Sequence, residues 1–310
     1  MMSNTKKKIV VIGSSNTDMV IKSDHFPKPG ETVLGGEFLM NPGGKGANQA
    51  VAVARLGGDV SFVCKVGDDM FGKEAITKYS EDHINVDHVS VSSEQPSGVA
   101  LINIDKKGEN CISVASGSNY CLSEEDINSA EPIIKNAAIV LLQLEIPIST
   151  VTYAARMAKQ YGAIVVLNPA PAPKETLPAD LLSNVDVIIP NSTEVETITK
   201  RCVTDLKSAQ DAIGEIISKG VKTVIVTLGS EGTIIFHDGE YKQVPAYRVE
   251  AVDTTAAGDT FCGGVCVALA EGKTVFEAVQ FGTKAASICV TRMGAQGSIP
   301  CRREMGDTFV

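Results

Sequence analysis

The stretch Asp253–Gly264, DTTAAGDTFCGG, sets one carboxylate, Asp259, behind three small residues and ahead of an apolar, glycine-containing run. Ala256, Ala257 and Gly258 leave the backbone bare, so a ligand can approach it closely. The run that follows reads as a helix beginning near Asp259. N–H groups at the leading end of a helix lack intrahelical partners and carry positive potential. Such a cradle suits a phosphoryl group in transfer, whose negative charge is spread over several oxygens. A carboxylate at its edge can accept the proton of an attacking hydroxyl. The other reading of Asp259 is a plain helix cap.

A second bare element is NPGGKGANQA, Asn41–Ala50. Gly43, Gly44 and Gly46 expose the backbone just before an Ala/Val-rich helix, where oxygen-rich ligands are well received. Lys45 and Asn48 can hydrogen-bond hydroxyls there, and a simple glycine-rich turn is the alternative. By contrast, GDDMFGKE at 67–74 imitates the GxxxxGK of a Walker loop. The next residue is Glu74 rather than Ser or Thr, and Asp68 and Asp69 would repel phosphates, so it reads as a loop and helix start. After the first apolar run comes GSSNTD, with no GxGxxG, so a dinucleotide-binding oxidoreductase has little support.

Short apolar, β-branched runs recur at 9–13, 60–67, 139–145, 164–171, 185–191 and 223–229. Runs apolar on both faces are expected of buried parallel strands. Helix-like segments lie between them at 43–58, 149–162 and 205–220; the last two begin with Ser149 and Asp205 as cap candidates and end in Gly. The rhythm predicts an α/β fold with a doubly wound, mostly parallel sheet flanked by helices. Residues 18–40 and 97–115 break it with hairpin-like patterns, the second turning at Asp105–Gly108, and predict a small antiparallel sheet standing off the main body. With no linker or repeat, residues 1–310 read as one domain carrying that appendage.

In an open α/β sheet, ligands bind beyond the carboxyl ends of the strands. The polar residues there are Asn16 and Asp18, Glu145, Asn168, Asn191 and Glu194, and Gly229-Ser230. Singly each could be a cap or turn former; together they form a polar rim on one sheet edge.

Composition narrows the function classes. The formal charge is 28 − 37 = −9, which lacks the basic footprint of a nucleic-acid binder. The run Lys6-Lys7-Lys8 reads as a solvated tail, and the closing CRREMGDTFV as polar enough to fray. No apolar run reaches the length of a membrane span or signal-peptide core. Eight scattered cysteines, without CxxC spacing, read as reduced thiols and suggest the cytoplasm rather than a zinc site.

These elements, in this order, resemble the ribokinase family of carbohydrate kinases within the phosphofructokinase B superfamily. GGKGANQAVAVARLG and DTTAAGDTFCGG match the two family signatures, and NPAPAP, PNSTE, VTLGSEG and TRMGAQGS add detail over nearly the whole chain. The resemblance implies ATP-dependent phosphorylation of the 5-hydroxyl of D-ribose. It implies Asp259 as base, with Ala256, Ala257 and Gly258 as anion hole. Asn16, Asp18, Gly43, Gly44, Lys45, Asn48 and Glu145 would hold the sugar. Thr227, Gly229, Ser230, Gly232, Gly258 and Thr283 would line the ATP site, with Asn191 and Glu194 near the phosphates and Mg2+. A monovalent cation, usually K+, would sit at Asp253, Thr255, Cys289, Arg292, Gly294 and Ser298, several of them through backbone carbonyls. The two irregular regions would form a lid over the sugar, whose strands would pair between subunits in a homodimer. Two departures stand out: Thr283 where members often carry histidine near the adenine, and Ser192 where many carry Glu.

A kinase for 2-deoxyribose, fructose or adenosine is the alternative within the class; Asn16 offers a partner for a hydroxyl that deoxyribose lacks. A catalytically silent sugar sensor on the same scaffold is the alternative from another class, and the intact Asp259 and AAG loop argue against it.

Overall fold

Side chains on β1 alternate between two apolar layers. Ile9 and Val11 pack into one cluster, while Val10 and Ile12 pack into the other. A strand apolar on both faces belongs inside a helix-flanked sheet. The structure, a computed structural model, describes residues 6–173, 176–203 and 206–306.

In chain order the strands are β1 (Lys8–Ile12), β2 (Asn16–Lys22), β3 (Glu37–Gly43), β4 (Asp59–Gly67), β5 (Val89–Ser92), β6 (Gly98–Ile104) and β7 (Asn110–Ala115). They continue as β8 (Ile139–Leu142), β9 (Ile164–Leu167), β10 (Val187–Ile188), β11 (Thr223–Thr227), β12 (Thr233–His237) and β13 (Glu240–Val244). Nine form the main sheet, in the order β13-β12-β11-β10-β9-β8-β1-β4-β5. From β11 to β5 every pairing is parallel. Every apolar run named above contributes a parallel strand, although β10 keeps only two residues.

The edge hairpin β12–β13 was not expected. It pairs antiparallel to β11 and turns at Asp238 (φ 50°) and Gly239 (φ 81°). An Asp-Gly pair with both φ positive is the hairpin turn that matches strand twist, so the signal was present in FHDGEY. Lys8 is the first residue of β1, not tail, and Lys6 Nζ donates to Gly57 O (2.9 Å). At the other end, Arg302–Met305 form a 3-10 turn with Met305 buried rather than frayed chain; residues 307–310 lie outside the described residues.

Four strands, β3-β2-β6-β7, build a second sheet. Its outer pairs are antiparallel and β2–β6 is parallel. The β6–β7 turn is made at Asp105, whose Oδ1 accepts from Lys107 N (2.8 Å) and Glu109 N (3.0 Å). Strand register puts Asp18, Val20, Ala100, Ile102, Ile112 and Val114 on one face of this sheet.

Helix boundaries follow local chemistry. The Lys45–Arg55 helix starts after Gly44, at φ 88°. The Ser192–Thr199 helix starts with a reciprocal box between Asn191 and Glu194. Ser149 is not a cap: that helix runs Ile148–Gln160 behind Pro147. Pro147 supplies a fixed φ at the start without a side-chain acceptor. Asp205 lies outside the described residues, but Gly162 (φ 80°) and Gly220 (φ 105°) end their helices in the left-handed backbone that glycine tolerates.

Three helices, Lys45–Arg55, Ala257–Ala270 and Val275–Cys289, pack against one face of the sheet. Their contacts explain the glycines after Asp259. A Cβ on Gly263 would lie 2.6 Å from Ala52 Cβ, and one on Gly264 would lie 2.9 Å from Gly282 Cα. The FCGGVC run therefore brings backbones together. That close approach holds the Asp259 end of its helix beside the Lys45–Arg55 helix.

Candidate active site

Beyond the carboxyl ends of the parallel strands lies a cleft of about 400 Å³. Its floor holds Asp259, Asn48 and Lys45; its ceiling is Ala100, Ile102, Ile112 and Val114 of the second sheet. A second cleft of about 460 Å³ adjoins it and shares Thr227, Thr254, Gly258 and Phe261. The first is polar at its floor; the second is walled by Ala246, Tyr247, Val249, Ala286 and Val290.

Asp259 is 6% exposed. Its Oδ2 accepts from Asn48 Nδ2 (2.9 Å) and its Oδ1 from Gln49 Nε2 (3.0 Å). Both donors come from the neighbouring helix, so helix–helix packing aims the carboxylate. Asn48 lines the cleft, and its buried Oδ1 has no hydrogen-bond partner among the described residues.

The Ala257–Ala270 helix opens at Ala256, which sits at φ 59°. Left-handed backbone costs a non-glycine residue roughly 1 kcal/mol or more, and such strain concentrates at functional sites. Among the described residues, no protein acceptor takes the N–H of Ala256, Gly258 or Asp259. Ala257 departs from the expected anion hole: its N–H donates to Thr254 O (3.2 Å). Gly258 is exposed, and a Cβ there would meet nothing within 4 Å. Its bareness serves no protein packing and leaves the amide open to the cleft.

Glu145 Oε2 accepts from Ser14 Oγ (2.5 Å) and from the Lys45 amide (2.9 Å). A carboxylate thus sits on a helix N-terminus, where the dipole favours it. Burial pushes Asp18 up to about 6, and the charges of Glu145 and Asp259 add to the effect. Burial alone would lower Lys45, but Asp259, Glu145 and Glu194 together outweigh it and hold the ammonium above its ordinary range. Burial also raises Glu194, against its bonds to Asn191. One cation, Lys45, thus balances several carboxylates around the cleft.

A carboxyl whose folded pKa is raised favours the fold at low pH and loses that advantage as pH rises through the folded value. For Asp18 the window runs from about 4 to 6. Asp18→Asn should therefore gain on the unmodified chain by roughly 2 kcal/mol between pH 4 and pH 7, read from urea unfolding at the two pH values. No gain would mean that Asp18 does not feel this field.

Gly43 differs from expectation. It does not line the cleft; a Cβ there would lie 2.2 Å from Asp18 Oδ2. Its bareness makes room for Asp18, which does line it. Gly46 similarly lets the helix abut the β1–β2 connection, since a Cβ would fall 2.4 Å from Ser14 N. Gly46→Ala should cost about 1–3 kcal/mol of stability in denaturant unfolding, because the clash is with backbone that cannot rotate away. A neutral result would show that the helix start has room to retreat.

Asn16, Gly44, Asn191 and Glu194 line the first cleft with the residues already placed, and Gly229, Ser230, Gly232 and Thr283 line the second. Asn191 Nδ2 and N both donate to the Glu194 carboxylate (3.1 and 2.9 Å). The remaining group clusters beside the Ala256 turn. Asp253 accepts from Thr255 N (2.9 Å), Thr255 Oγ1 (2.6 Å) and Gly294 N (2.9 Å), and Cys289 Sγ meets Ser298 Oγ at 3.0 Å. Burial would raise Asp253, but those three bonds outweigh it and hold the carboxyl below its ordinary range. Arg292 directs its guanidinium to Glu304 (2.5 Å), so only its backbone could serve a cation.

Several contributors were not singled out from the sequence. Gln49 and Gln143 are fully buried beneath Asp259, and Asn119 fixes Asn16 by donating to its Oδ1 (2.7 Å). The signal for the glutamines was a polar residue inside the apolar runs NQAVAV and LLQLE. Asn119 carries no such signal, because its partner lies 103 residues away.

The description "pfkB family carbohydrate kinase" belongs to the family model that matches residues 6–302. A ribokinase of Haemophilus influenzae is 45% identical over 299 residues, covering 96% of this chain and 97% of the relative. A deoxyribokinase of Salmonella typhimurium is 37% identical over 292 residues, covering 94% and 95%. The structure of Arabidopsis thaliana ribokinase complexed with ribose and ATP superposes with a TM-score of 0.90 at 34% identity, covering 97% of this chain and 98% of that one.

Proposed function

The chain belongs to the pfkB family of carbohydrate kinases, and on that premise we propose that it transfers the γ-phosphoryl group of ATP to the 5-hydroxyl of D-ribose. The observation that carries this reading is the placement of Asp259. Its carboxylate lies in the floor of the sugar-sized cleft, one residue from Gly258, which both clefts share.

Ribose enters the polar cleft, where Asp18, Asn16, Lys45, Asn48 and Glu145 offer donors and acceptors of both kinds. ATP lies in the second cleft along Thr227, Gly229, Ser230 and Gly232, with its adenine toward Tyr247, Val249 and Thr283. Asp259 accepts the proton of the 5-hydroxyl as that oxygen bonds to the γ-phosphorus. The bond from phosphorus to the β,γ-bridging oxygen breaks and ADP leaves. The open N–H groups of Ala256, Gly258 and Asp259 face the charge that builds on the phosphoryl oxygens. The proton on Asp259 then passes to water.

Asn191 and Glu194 fit a role beside Mg2+, a hard cation usually held by few carboxylates plus nucleotide phosphates; it would neutralise phosphate charge. The Asp253, Thr255 and Ser298 oxygens, with neighbouring carbonyls, fit a K+ ion, which would add positive field beside the Ala256 turn. The second sheet would act as a lid that excludes water. Phe38 (61% exposed) and Leu101 (52%) lie on its outer face, which fits pairing with a second copy. Phe38→Glu should then shift sedimentation from dimer to monomer; an unmodified chain sedimenting as monomer would contradict the dimer. Eight free cysteines fit a reducing cytoplasm.

The test is ADP release across D-ribose, 2-deoxyribose, fructose and adenosine, with and without K+. Ribose should lead 2-deoxyribose by at least about tenfold in kcat/KM, because a missing hydroxyl leaves a buried polar group unpaired. The deoxyribokinase relative makes 2-deoxyribose the second reading. A higher kcat/KM for that sugar would replace the first.

A further inference from the structure

We infer that Gln49 is a positioning residue for the base, held in register by Gln143, so that a chain of buried amides sets the orientation of Asp259. The inference rests on reading Asp259 as the base. Gln49 Nε2 donates to Asp259 Oδ1 (3.0 Å) and to Asn168 Oδ1 (3.0 Å), and Gln49 Oε1 accepts from Gln143 Nε2 (2.5 Å). Both N–H donors of the Gln49 amide and its carbonyl oxygen are therefore engaged.

The Gln49 amide cannot be reversed without losing its bonds to Asp259 and Asn168. If the Gln49 amide flipped, its oxygen would face the Asp259 carboxylate and its nitrogen would face a donor. Asn168 is locked from its far side, because its Nδ2 donates to Ile189 O (2.8 Å) and leaves its oxygen for Gln49. Gln143 lies against bare backbone: a Cβ on Gly13 would come 1.9 Å from its Oε1. The glycine of IVVIG thus makes room for the far end of the chain.

Stability alone is a poor reason to keep these groups. Gln49 and Gln143 are both 0% exposed, and among the described residues Gln143 Oε1 has no partner. A buried acceptor left unpaired costs free energy, and apolar residues of the same shape would pack without that cost. Departures from such local rules gather at functional sites. What the chain supplies is direction. Asn48, which lines the cleft, holds one Asp259 oxygen, whereas Gln49 holds the other from within the protein.

The experiment compares Gln49→Leu, Gln143→Leu, the double variant and Asp259→Asn, each for kcat, ribose KM and melting temperature. Gln49→Leu should lower kcat by about tenfold to a hundredfold, since small misplacements of a reacting group cost that much. Ribose KM should stay within about twofold, because ribose binding does not need the base to be aligned. Gln143→Leu should give a smaller loss in kcat, and the double variant should be no worse than Gln49→Leu, the non-additivity expected of residues acting in series. The double variant also leaves no lone glutamine in the apolar layer, so it provides a folded enzyme if a single variant unfolds. A double variant that melts near the unmodified chain and turns over at its rate would overturn the inference. So would losses in kcat that simply add. Should Asp259→Asn retain turnover, the reading of Asp259 as base fails instead, and the two failures are told apart.

Discussion

Asp259→Asn should reduce ribose-dependent ADP formation by about 10³-fold while leaving ribose affinity within a few-fold. General-base catalysis by a positioned side chain contributes about 10² to 10⁴. The Asp259 carboxylate lies in the first cleft, one residue from Gly258, which both clefts share, so the middle of that range is expected. Asparagine is the informative replacement. It keeps the volume and one acceptor oxygen, so either Asn48 or Gln49 retains a partner. Alanine would strand both buried donors and confound a loss of chemistry with a loss of fold. The variant is assayed by coupled ADP release and by ribose titration in a calorimeter. Near-normal turnover would remove Asp259 from the mechanism.

Gly258→Ala separates catalysis from stability in the opposite sense. A methyl group there meets no protein atom within 4 Å, and the residue lies in the first turn of a helix. Alanine is the better helix former by up to about 1 kcal/mol, so the fold should be unharmed or slightly firmer. Gly258 lines both clefts. The added methyl would occupy space where a phosphoryl group must come against the amide. The rate should fall by about 10²-fold, the scale set by losing one preorganised donor to a developing charge. Measured together, a melting temperature at or above that of the unmodified chain and a strongly reduced kcat would tie the bareness of DTTAAGDTFCGG to the ligand. An unchanged rate would assign the glycine to neither packing nor chemistry.

Much of this was legible in the residues because buried parallel strands have an unmistakable pattern. Val10 and Ile12 can be apolar on the opposite face from Ile9 and Val11 only if helices cover both sides. The polar rim was legible for a related reason: strand ends point at a common edge, so Asn16, Glu145 and Asn191 could be placed together from their positions after the apolar runs. The glycines were harder. Gly43 and Gly46 looked like ligand contacts, yet each makes room for protein, Asp18 in one case and the Ser14 backbone in the other. Bareness reads the same in sequence whichever atom fills the space. Gln49 and Gln143 show locally only as polar residues inside apolar runs; the contact between them spans 94 residues. The β12–β13 hairpin escaped for a smaller reason: its Asp-Gly turn lay outside the strand–helix rhythm.

We propose that open amides at the start of the Ala257–Ala270 helix hold the migrating phosphoryl group while Asp259 takes the proton of the sugar. A crystal structure with ribose, ADP and aluminium fluoride tests it most directly. Fluoride ligands are expected within hydrogen-bonding distance of the Gly258 and Asp259 amides, with the ribose 5-hydroxyl oxygen roughly 2.6–3.2 Å from an Asp259 carboxylate oxygen. A fluoride group seated elsewhere, or a 5-hydroxyl turned away from Asp259, would contradict it.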